Sequence, residues 1–167
     1  MELLKLATDW AKSEVFSTRF FILFALAFIA ASIVFWQLGK TDLAKAYVTP
    51  TLVAGTLLLI IGIGLQYTNV QRVKQFEQDY NTDATAFYQS EMERTECTLK
   101  EYGVVFKVIP ILIIIAALLI LFIHTPTWRA ISITSIAMLT VILLVDGTAH
   151  SRIEVYQKEL KSVSVNE

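Results

Sequence analysis

The stretch that decides the fold runs from Tyr88 to Ile123 and reads YQSEMERTECTLKEYGVVFKVIPILIIIAALLILFI. Its first half is polar, but apolar or small residues return every three or four positions, which is the spacing of one helix face. From Val104 onward the chain is almost entirely apolar over the ~20 residues that a helix needs to cross a ~30 Å hydrocarbon core. Because the spacing continues through this junction, the sequence predicts one long helix that begins in water and ends in a membrane.

Apolar windows of similar length occur three more times. Charged residues make up only 17% of the 167 residues, against about 25% in ordinary soluble domains, and they are clustered. A soluble protein with very apolar core helices is the alternative, but a run such as 108–123 has no polar face to meet water. We therefore predict an all-α integral membrane protein with four transmembrane helices arranged as two hairpins. The windows span residues 20–38, 49–65, 104–123 and 128–145.

The polar segments between the windows complete the predicted organisation. Asn81, Thr82 and Asp83 favour a turn, and Asp83 is a good N-cap for the helix that follows. We expect helices 2, 3 and 4 to extend beyond the bilayer as a cytosolic helical stalk. The predicted segments are an interfacial amphipathic helix (1–17), a first transmembrane hairpin (18–65), a cytosolic helical hairpin (66–103), a second transmembrane hairpin (104–147), and a cytosolic C-terminal helix and tail (148–167).

The first segment has one apolar face and one charged face. Leu3, Leu6 and Trp10 share one side of the helix, while Lys5 and Lys12 lie on the other. A tryptophan-bearing face next to a membrane span favours a helix that lies in the plane of the interface. Packing of this face on the protein's own polar part is the alternative.

Apolar stripes continue outside the windows in three polar helical stretches. Each stripe repeats at heptad-like spacing, and an exposed stripe of this length would promote association. We expect the stripes to pack on one another within the stalk or against a second copy of the chain. The stripe residues are Val73, Phe76, Tyr80, Tyr88, Met92, Leu99, Ile153, Tyr156 and Leu160.

Positive charges are distributed unevenly between the two sides of the predicted membrane. Four spans place both termini and residues 66–103 on one side, which holds 11 Lys and Arg residues against 3 on the other. Short loops rich in Lys and Arg remain in the cytosol. The single cysteine, Cys97, lies on the same side and suits a reducing compartment. We expect a multi-pass protein of the cell inner (plasma) membrane with both termini cytosolic.

Two charges lie at the cytosolic edge of the second transmembrane hairpin. Lys107 stands near the start of the third window, and Asp146 directly follows the fourth. In antiparallel neighbouring helices these charges have similar depth, and charges close to lipid tend to pair. We expect a membrane-boundary ion pair in which the lysine side chain extends toward water, with a proton or ion relay as the alternative.

Asp146, His150 and Glu154 follow one another at intervals of four and share a helix face. This spacing makes them a weak candidate for a metal site, which needs a further ligand from another helix. No HExxH or ExxH signature accompanies them, so a solvated polar face is the favoured interpretation. We therefore expect neither a metal nor a cofactor.

The sequence carries no signature of a catalytic or nucleic-acid-binding protein. It contains no GxSxG motif and no glycine-rich phosphate loop, and a net charge of −1 gives no support to nucleic-acid binding. The first two windows contain no charged residue, whereas transporters generally place ionisable groups near the bilayer midplane. We expect neither an enzyme nor a nucleic-acid-binding protein.

The windows do contain small and hydroxyl-bearing residues. Thr51, Gly55 and Gly62 lie on roughly one face of the second window and predict a close-packed helix seam. If the chain formed an oligomeric pore, hydroxyl groups would have to line it. The candidate lining residues are Thr51, Thr56, Ser132, Ser135 and Thr140.

Three functions are compatible with these features. The leading hypothesis is a small polytopic inner-membrane protein that acts as an interaction or assembly subunit through its stalk. It would be homo-oligomeric, lie in the lipid bilayer and engage a cytosolic or membrane protein through residues 66–103. An oligomeric pore, channel or membrane effector is the alternative, and an immunity-type protein against a membrane toxin is a lesser one.

Overall fold

The computed structural model describes residues 2–163, and this part of the chain is helical apart from short connections. Four units of the chain are long and apolar enough to cross a membrane, and one of them is formed by α2 and α3 together. This confirms the predicted all-helical fold with four long apolar helices. The elements are α1 Glu2–Leu38, α2 Asp42–Ala46, α3 Val48–Thr82, α4 Ala84–Phe122 and α5 Pro126–Val163.

Local chemistry explains where two of the helices begin. Asp83 is the N-cap of α4 and accepts hydrogen bonds from the backbone N–H groups of Thr85 and Ala86, both at 2.9 Å. The chain reverses at this residue, as the sequence predicts. α3 begins at Val48, so Pro50 lies in the first turn, where its missing N–H costs no helical hydrogen bond.

The four long helices form two pairs. α1 packs mainly on α3, and α4 packs mainly on α5. Contacts between α1 and α5 join the two pairs, whereas α3 and α4 contact each other little although only Asp83 separates them. The apolar window of α4 is the least enclosed of the four, with 6% of it buried within the chain. Most of that window is therefore available to lipid or to another protein.

Two glycines allow α1 and α3 to approach closely. A Cβ atom at Gly55 would lie 2.9 Å from the carbonyl oxygen of Ala25 and 3.0 Å from the amide nitrogen of Ile29. A Cβ atom at Gly62 would lie 3.0 Å from the Cβ of Phe21. These distances are shorter than ordinary van der Waals contact, so any larger residue would push the helices apart. This is the close-packed seam that the sequence predicts.

A hydrophobic core lies in the polar half of the chain, which comprises residues 2–17, 66–103 and 148–163. All four long helices contribute to this polar-half core, and the nine stripe residues either belong to it or pack against it. Phe87, which was not among those nine, also contributes. The buried members are Leu3, Ala7, Trp10, Ala11, Phe76, Phe87, Ile153, Tyr156 and Leu160.

The polar-half core corrects the expectation that residues 1–17 form a separate helix in the membrane plane. α1 runs without a break from Glu2 to Leu38, so its first turns continue the axis of the apolar window. Leu3 and Trp10 are only 4% and 8% exposed because they pack on protein. Burial against the other helices removes the same apolar surface from water as membrane binding would. The amphipathic pattern alone could not distinguish the two.

Candidate functional site

A cavity of about 360 Å³ lies between the four long helices where their apolar windows end. Phe21, Ile142 and Val145 line its apolar side. Its polar side is built from charged and amide side chains of all four helices: Glu14, Asn69, Arg72, Arg94, Glu101 and Asp146. The cavity therefore joins an apolar surface to a wall that carries charges of both signs.

A buried carboxylate, Glu91, anchors this polar wall. Glu91 is 4% exposed and accepts hydrogen bonds from Arg94 Nε at 2.8 Å, from Arg94 Nη2 at 2.5 Å and from the Tyr156 hydroxyl at 2.6 Å. The Arg94 guanidinium lies over the Trp10 ring, 4.1 Å from its centroid. Trp10 in turn stacks on Tyr156, with 5.1 Å between the ring centroids. These four side chains join α1, α4 and α5 in one network that is shielded from water.

The network shifts the proton equilibria of two of its members. Burial by itself would lower the pKa of Arg94, but the hydrogen bond and the negative charge of Glu91 outweigh burial and raise that pKa. Burial, together with the neighbouring Glu91 carboxylate, raises the pKa of Tyr156. Both groups therefore keep their protons at physiological pH, and the network is a fixed structural element.

A second ion pair joins α1 to α5. Arg152 Nε donates a hydrogen bond to Glu14 Oε1 at 2.9 Å, and Glu14 is 8% exposed. The Nη2 atom of Arg152 and the Nε1 atom of Trp10 are buried and have no hydrogen-bond acceptor among residues 2–163. Two buried N–H donors near this ion pair therefore have no hydrogen-bond acceptor in the described part of the chain.

Arg72 differs from the other arginines of this layer because it makes no ion pair within residues 2–163. Its Nη1 donates a hydrogen bond to Oδ1 of Asn69 at 3.0 Å, and Asn69 is 4% exposed. Burial and then the positive charge of Arg94 lower the pKa of Arg72, while the negative charges of Glu91 and Glu14 partly offset this lowering. Arg72 remains charged at neutral pH, so this corner of the cavity carries a positive charge that makes no direct ion pair within residues 2–163.

Carboxylates approach the cavity from another side. Burial, and then the charges of Glu14 and Asp146, raise the pKa of Tyr102, which places both carboxylates around this tyrosine. Asp146 is half-buried and makes no ion pair within residues 2–163. The cavity thus has a basic corner at Arg72 and an acidic side at Asp146.

This arrangement corrects the expected ion pair between Lys107 and Asp146. No salt bridge joins them in the described part of the chain. Lys107 is exposed on α4, whereas Asp146 faces the cavity between the helices. The rotation of each helix about its axis turns the two side chains to different surfaces.

The weak metal candidate formed by Asp146, His150 and Glu154 is not assembled. His150 Nε2 lies 3.8 Å from Glu154 Oε1, but within residues 2–163 no three His, Cys, Asp or Glu side chains are grouped closely enough to hold a metal ion. The His150 ring instead packs edge-on against Tyr102 and Phe106, with centroid distances of 5.6 and 5.3 Å. Aromatic packing therefore accounts for the position of this histidine.

The five candidate pore residues do not share one surface of this chain. Thr51 and Ser132 are 5% and 1% exposed, whereas Thr56 and Thr140 are on the outer surface. The three threonine hydroxyls each donate to a carbonyl oxygen of their own helix one turn earlier. Ser135 lines a separate groove of about 610 Å³ between α3 and α5. These five residues therefore do not line one common path within a single chain.

Sequence reasoning missed most of the cavity wall, although a signal for it was present. Glu14 lies four residues after the buried Trp10, and Glu91 lies four residues after the buried Phe87. This spacing places both carboxylates on the buried faces of their helices. Since acidic residues are almost never fully buried without partners, a charge on such a face predicts a buried polar network.

The site as a whole combines a fixed network of ion pairs with a cavity whose two sides differ in charge. The network can keep α1, α4 and α5 in register, and the cavity can accept a polar group of matching charge. No protein-family model, curated protein or solved structure matches this chain.

Proposed function

We propose that this protein is a small multi-pass inner-membrane protein that acts as an interaction or assembly subunit by docking a basic partner surface on residues 66–103. The observation that carries the proposal is the direction of the two arginines in this hairpin. Arg72 and Arg94 both line the internal cavity instead of the outer surface. Their charges are therefore withdrawn from the surface that a partner meets.

The hairpin surface is acidic as a result. Lys74 and Lys100 are the only exposed cations in residues 66–103. Complementary charge on a partner speeds and orients association, so a basic surface fits this hairpin best. The exposed carboxylates are those of Glu77, Asp79, Asp83, Glu93, Glu96 and Glu101.

The hairpin is also held firmly enough to serve as a docking surface. Near its turn, Phe87 contacts the rings of Phe76 and Tyr80 edge-on, with centroid distances of 5.4 and 6.0 Å. Further along, the Glu91 network ties it to α1 and α5. A surface that is already ordered loses less conformational entropy on binding.

Membrane placement and assembly are part of the same proposal. The four apolar helices cross the bilayer, and the excess of Lys and Arg in the polar half keeps that half and both termini in the cytosol. The apolar window of α4 is mostly unburied within one chain, so a second copy of the chain can pack on it in place of lipid, which supports a homo-oligomer.

The single cysteine provides a direct test of docking. Cys97 is exposed on α4 among the acidic residues, so a photo-crosslinker attached to it in inverted membrane vesicles samples the proposed surface. We expect covalent adducts with a partner protein that decrease at high salt and in the variant Glu93→Lys/Glu96→Lys, because both treatments weaken charge attraction.

The matched control is Glu154→Lys/Glu159→Lys, which makes the same charge change at exposed positions of α5. This control should keep the adducts. Equal loss of adducts in both variants, or no loss in either, would contradict docking through residues 66–103. Ion flux in liposomes that contain the purified protein separates this function from the pore alternative, and we expect no flux above that of empty liposomes.

A further inference from the structure

Two half-buried charges that line the same cavity make no direct ion pair in the described part of the chain, and the third unpaired charge of the wall, Glu101, is exposed. Arg94 is paired with Glu91, and Glu14 is paired with Arg152. Arg72 and Asp146 make no ion pair within residues 2–163, although both are half-buried. Half-buried charges are stable only when an opposite charge or several hydrogen bonds meet them. The cavity therefore presents one positive and one negative group to whatever enters it.

The basic corner is built to receive an anionic oxygen. The Arg72 side chain is oriented by its hydrogen bond to Asn69 Oδ1, and the amide nitrogen of Asn69 makes no hydrogen bond to a described residue. Trp10 also lines the cavity. A guanidinium beside an amide N–H donor can bind phosphate oxygens.

The acidic side can receive a cation. Asp146 lines the cavity on α5 and is accompanied by Glu14 on α1. The carboxylate of Glu14 is already engaged by Arg152 and Glu101 is exposed, so Asp146 is the half-buried acceptor that remains. A primary ammonium group supplies three N–H donors and the opposite charge, which suits a half-buried carboxylate.

The apolar side of the cavity is not closed off from the outer surface. Ile61 and Leu65 of α3 line the cavity and are 38% and 41% exposed, so the cavity reaches the outside at the level of the apolar window. The few contacts between α3 and α4 leave this side open. A molecule with a polar head and an apolar tail could therefore enter from the bilayer.

We propose that this cavity binds a zwitterion of the phosphoethanolamine class, with its phosphate at Arg72 and Asn69 and its ammonium at Asp146. The ligand can come from the bilayer as the headgroup of phosphatidylethanolamine or from water as a soluble phosphoethanolamine ester. The volume of about 360 Å³ lies within the range of small-molecule sites. This inference rests on the proposed membrane placement but does not require a protein partner.

Trp10 provides the assay. The substitutions Trp36→Phe and Trp128→Phe remove the two exposed tryptophans of the opposite end and leave Trp10 as the single tryptophan, which is excited selectively at the red edge of its absorption. The protein is placed in phosphatidylcholine nanodiscs with increasing fractions of phosphatidylethanolamine or phosphatidylglycerol. We expect a saturable change of Trp10 emission that occurs at the lowest fraction of phosphatidylethanolamine, because only this headgroup supplies both the phosphate and the N–H donors.

The two corners are separated by two substitutions. Arg72→Gln should weaken the response to both lipids by about tenfold or more, because both carry the phosphate. Asp146→Asn should remove the preference for phosphatidylethanolamine over phosphatidylglycerol and leave phosphate binding in place. Arg129→Gln, an exposed position at the opposite end of α5, is the control and should change neither response.

Soluble glycerophosphoethanolamine added to phosphatidylcholine nanodiscs distinguishes the source of the ligand. A response to it assigns the site to a ligand from water, and a response to the lipid alone assigns it to the bilayer. Equal responses of the parent protein to phosphatidylethanolamine and phosphatidylglycerol would overturn the proposal without reference to any variant. A preference for phosphatidylethanolamine that survives Asp146→Asn would overturn the assignment of the ammonium site.

Discussion

Replacement of Glu91 by glutamine tests whether the buried network holds the polar half together. Glu91 is 4% exposed and accepts three hydrogen bonds, two from Arg94 and one from Tyr156. Loss of its charge leaves the Arg94 guanidinium without an anion in a site where the arginine side chain is 18% exposed. Breaking a buried ion pair costs ~3–5 kcal/mol, and the residual exposure of Arg94 places the expected loss of unfolding free energy near the lower end, at about 3 kcal/mol.

Two further variants divide this effect between its contacts. Tyr156→Phe removes one hydrogen bond to a charged acceptor and keeps the ring that stacks on Trp10, so we expect a loss of about 1.5–3 kcal/mol. The double variant Glu91→Gln/Arg94→Met removes both charges of the pair. The loss of unfolding free energy in this double variant should be smaller than the sum of the losses in Glu91→Gln and in Arg94→Met, because neither charge is then left buried alone.

The measurement is urea unfolding in mild detergent, followed by Trp10 emission in the Trp36→Phe/Trp128→Phe background, because Trp10 contacts the network directly. Glu93→Gln is the matched control. It makes the same chemical change two residues away at an exposed position, where we expect a change below about 0.5 kcal/mol. Equal stability of the Glu91→Gln and Glu93→Gln proteins would refute the structural role of the network.

Three other substitutions give distinct expectations. In thermal unfolding, Gly55→Ala should destabilise the α1–α3 seam by about 1–2 kcal/mol, because the overpacking cost exceeds the gain in helix propensity. Gly64→Ala is the control and should stabilise the protein slightly, because its added Cβ would have no neighbouring atom within 4 Å. Lys107→Met should leave thermal stability within about 0.5 kcal/mol of the parent, since this exposed lysine has no ionic partner within residues 2–163; a large loss would restore the predicted ion pair. Leu160→Asp should make residues 66–103 sensitive to protease in inverted vesicles, because Leu160 is fully buried in the polar-half core, while the spans remain inserted; unchanged protection would show that this core does not hold the hairpin.

The parts of the fold that depend on one helix at a time were predictable from the sequence. Asp83 is a good N-cap in any helix that follows it, and the structure places the turn there. The apolar stripes had to be buried because they would otherwise face water, and Phe76, Ile153 and Leu160 are all in the polar-half core. Periodicity therefore identifies which face of a helix is buried.

The polar network could not be predicted in the same way because its partners come from distant parts of the chain. Glu14 meets Arg152 across 138 residues, and Glu91 meets Tyr156 across 65. No local rule selects these pairs. The same limit explains the error at Lys107, since position along the chain fixes depth, whereas each residue turns a helix by about 100° and only packing decides which side faces the neighbour.

We propose that the polar half, with its acidic hairpin and its charged cavity, lies on the cytosolic side of the inner membrane. The most direct test is the labelling of Cys97 with a membrane-impermeant maleimide, because this residue is the only cysteine of the chain and is exposed on α4. A Cys97→Ser/Lys40→Cys protein reports the opposite side. The outer side is probed in intact bacterial cells, or in spheroplasts where an outer membrane is present. We predict that Cys97 reacts in inverted vesicles but not from the outer side, and that the cysteine at position 40 reacts from the outer side but not in inverted vesicles. Labelling of Cys97 from the outer side would contradict the cytosolic placement of the polar half.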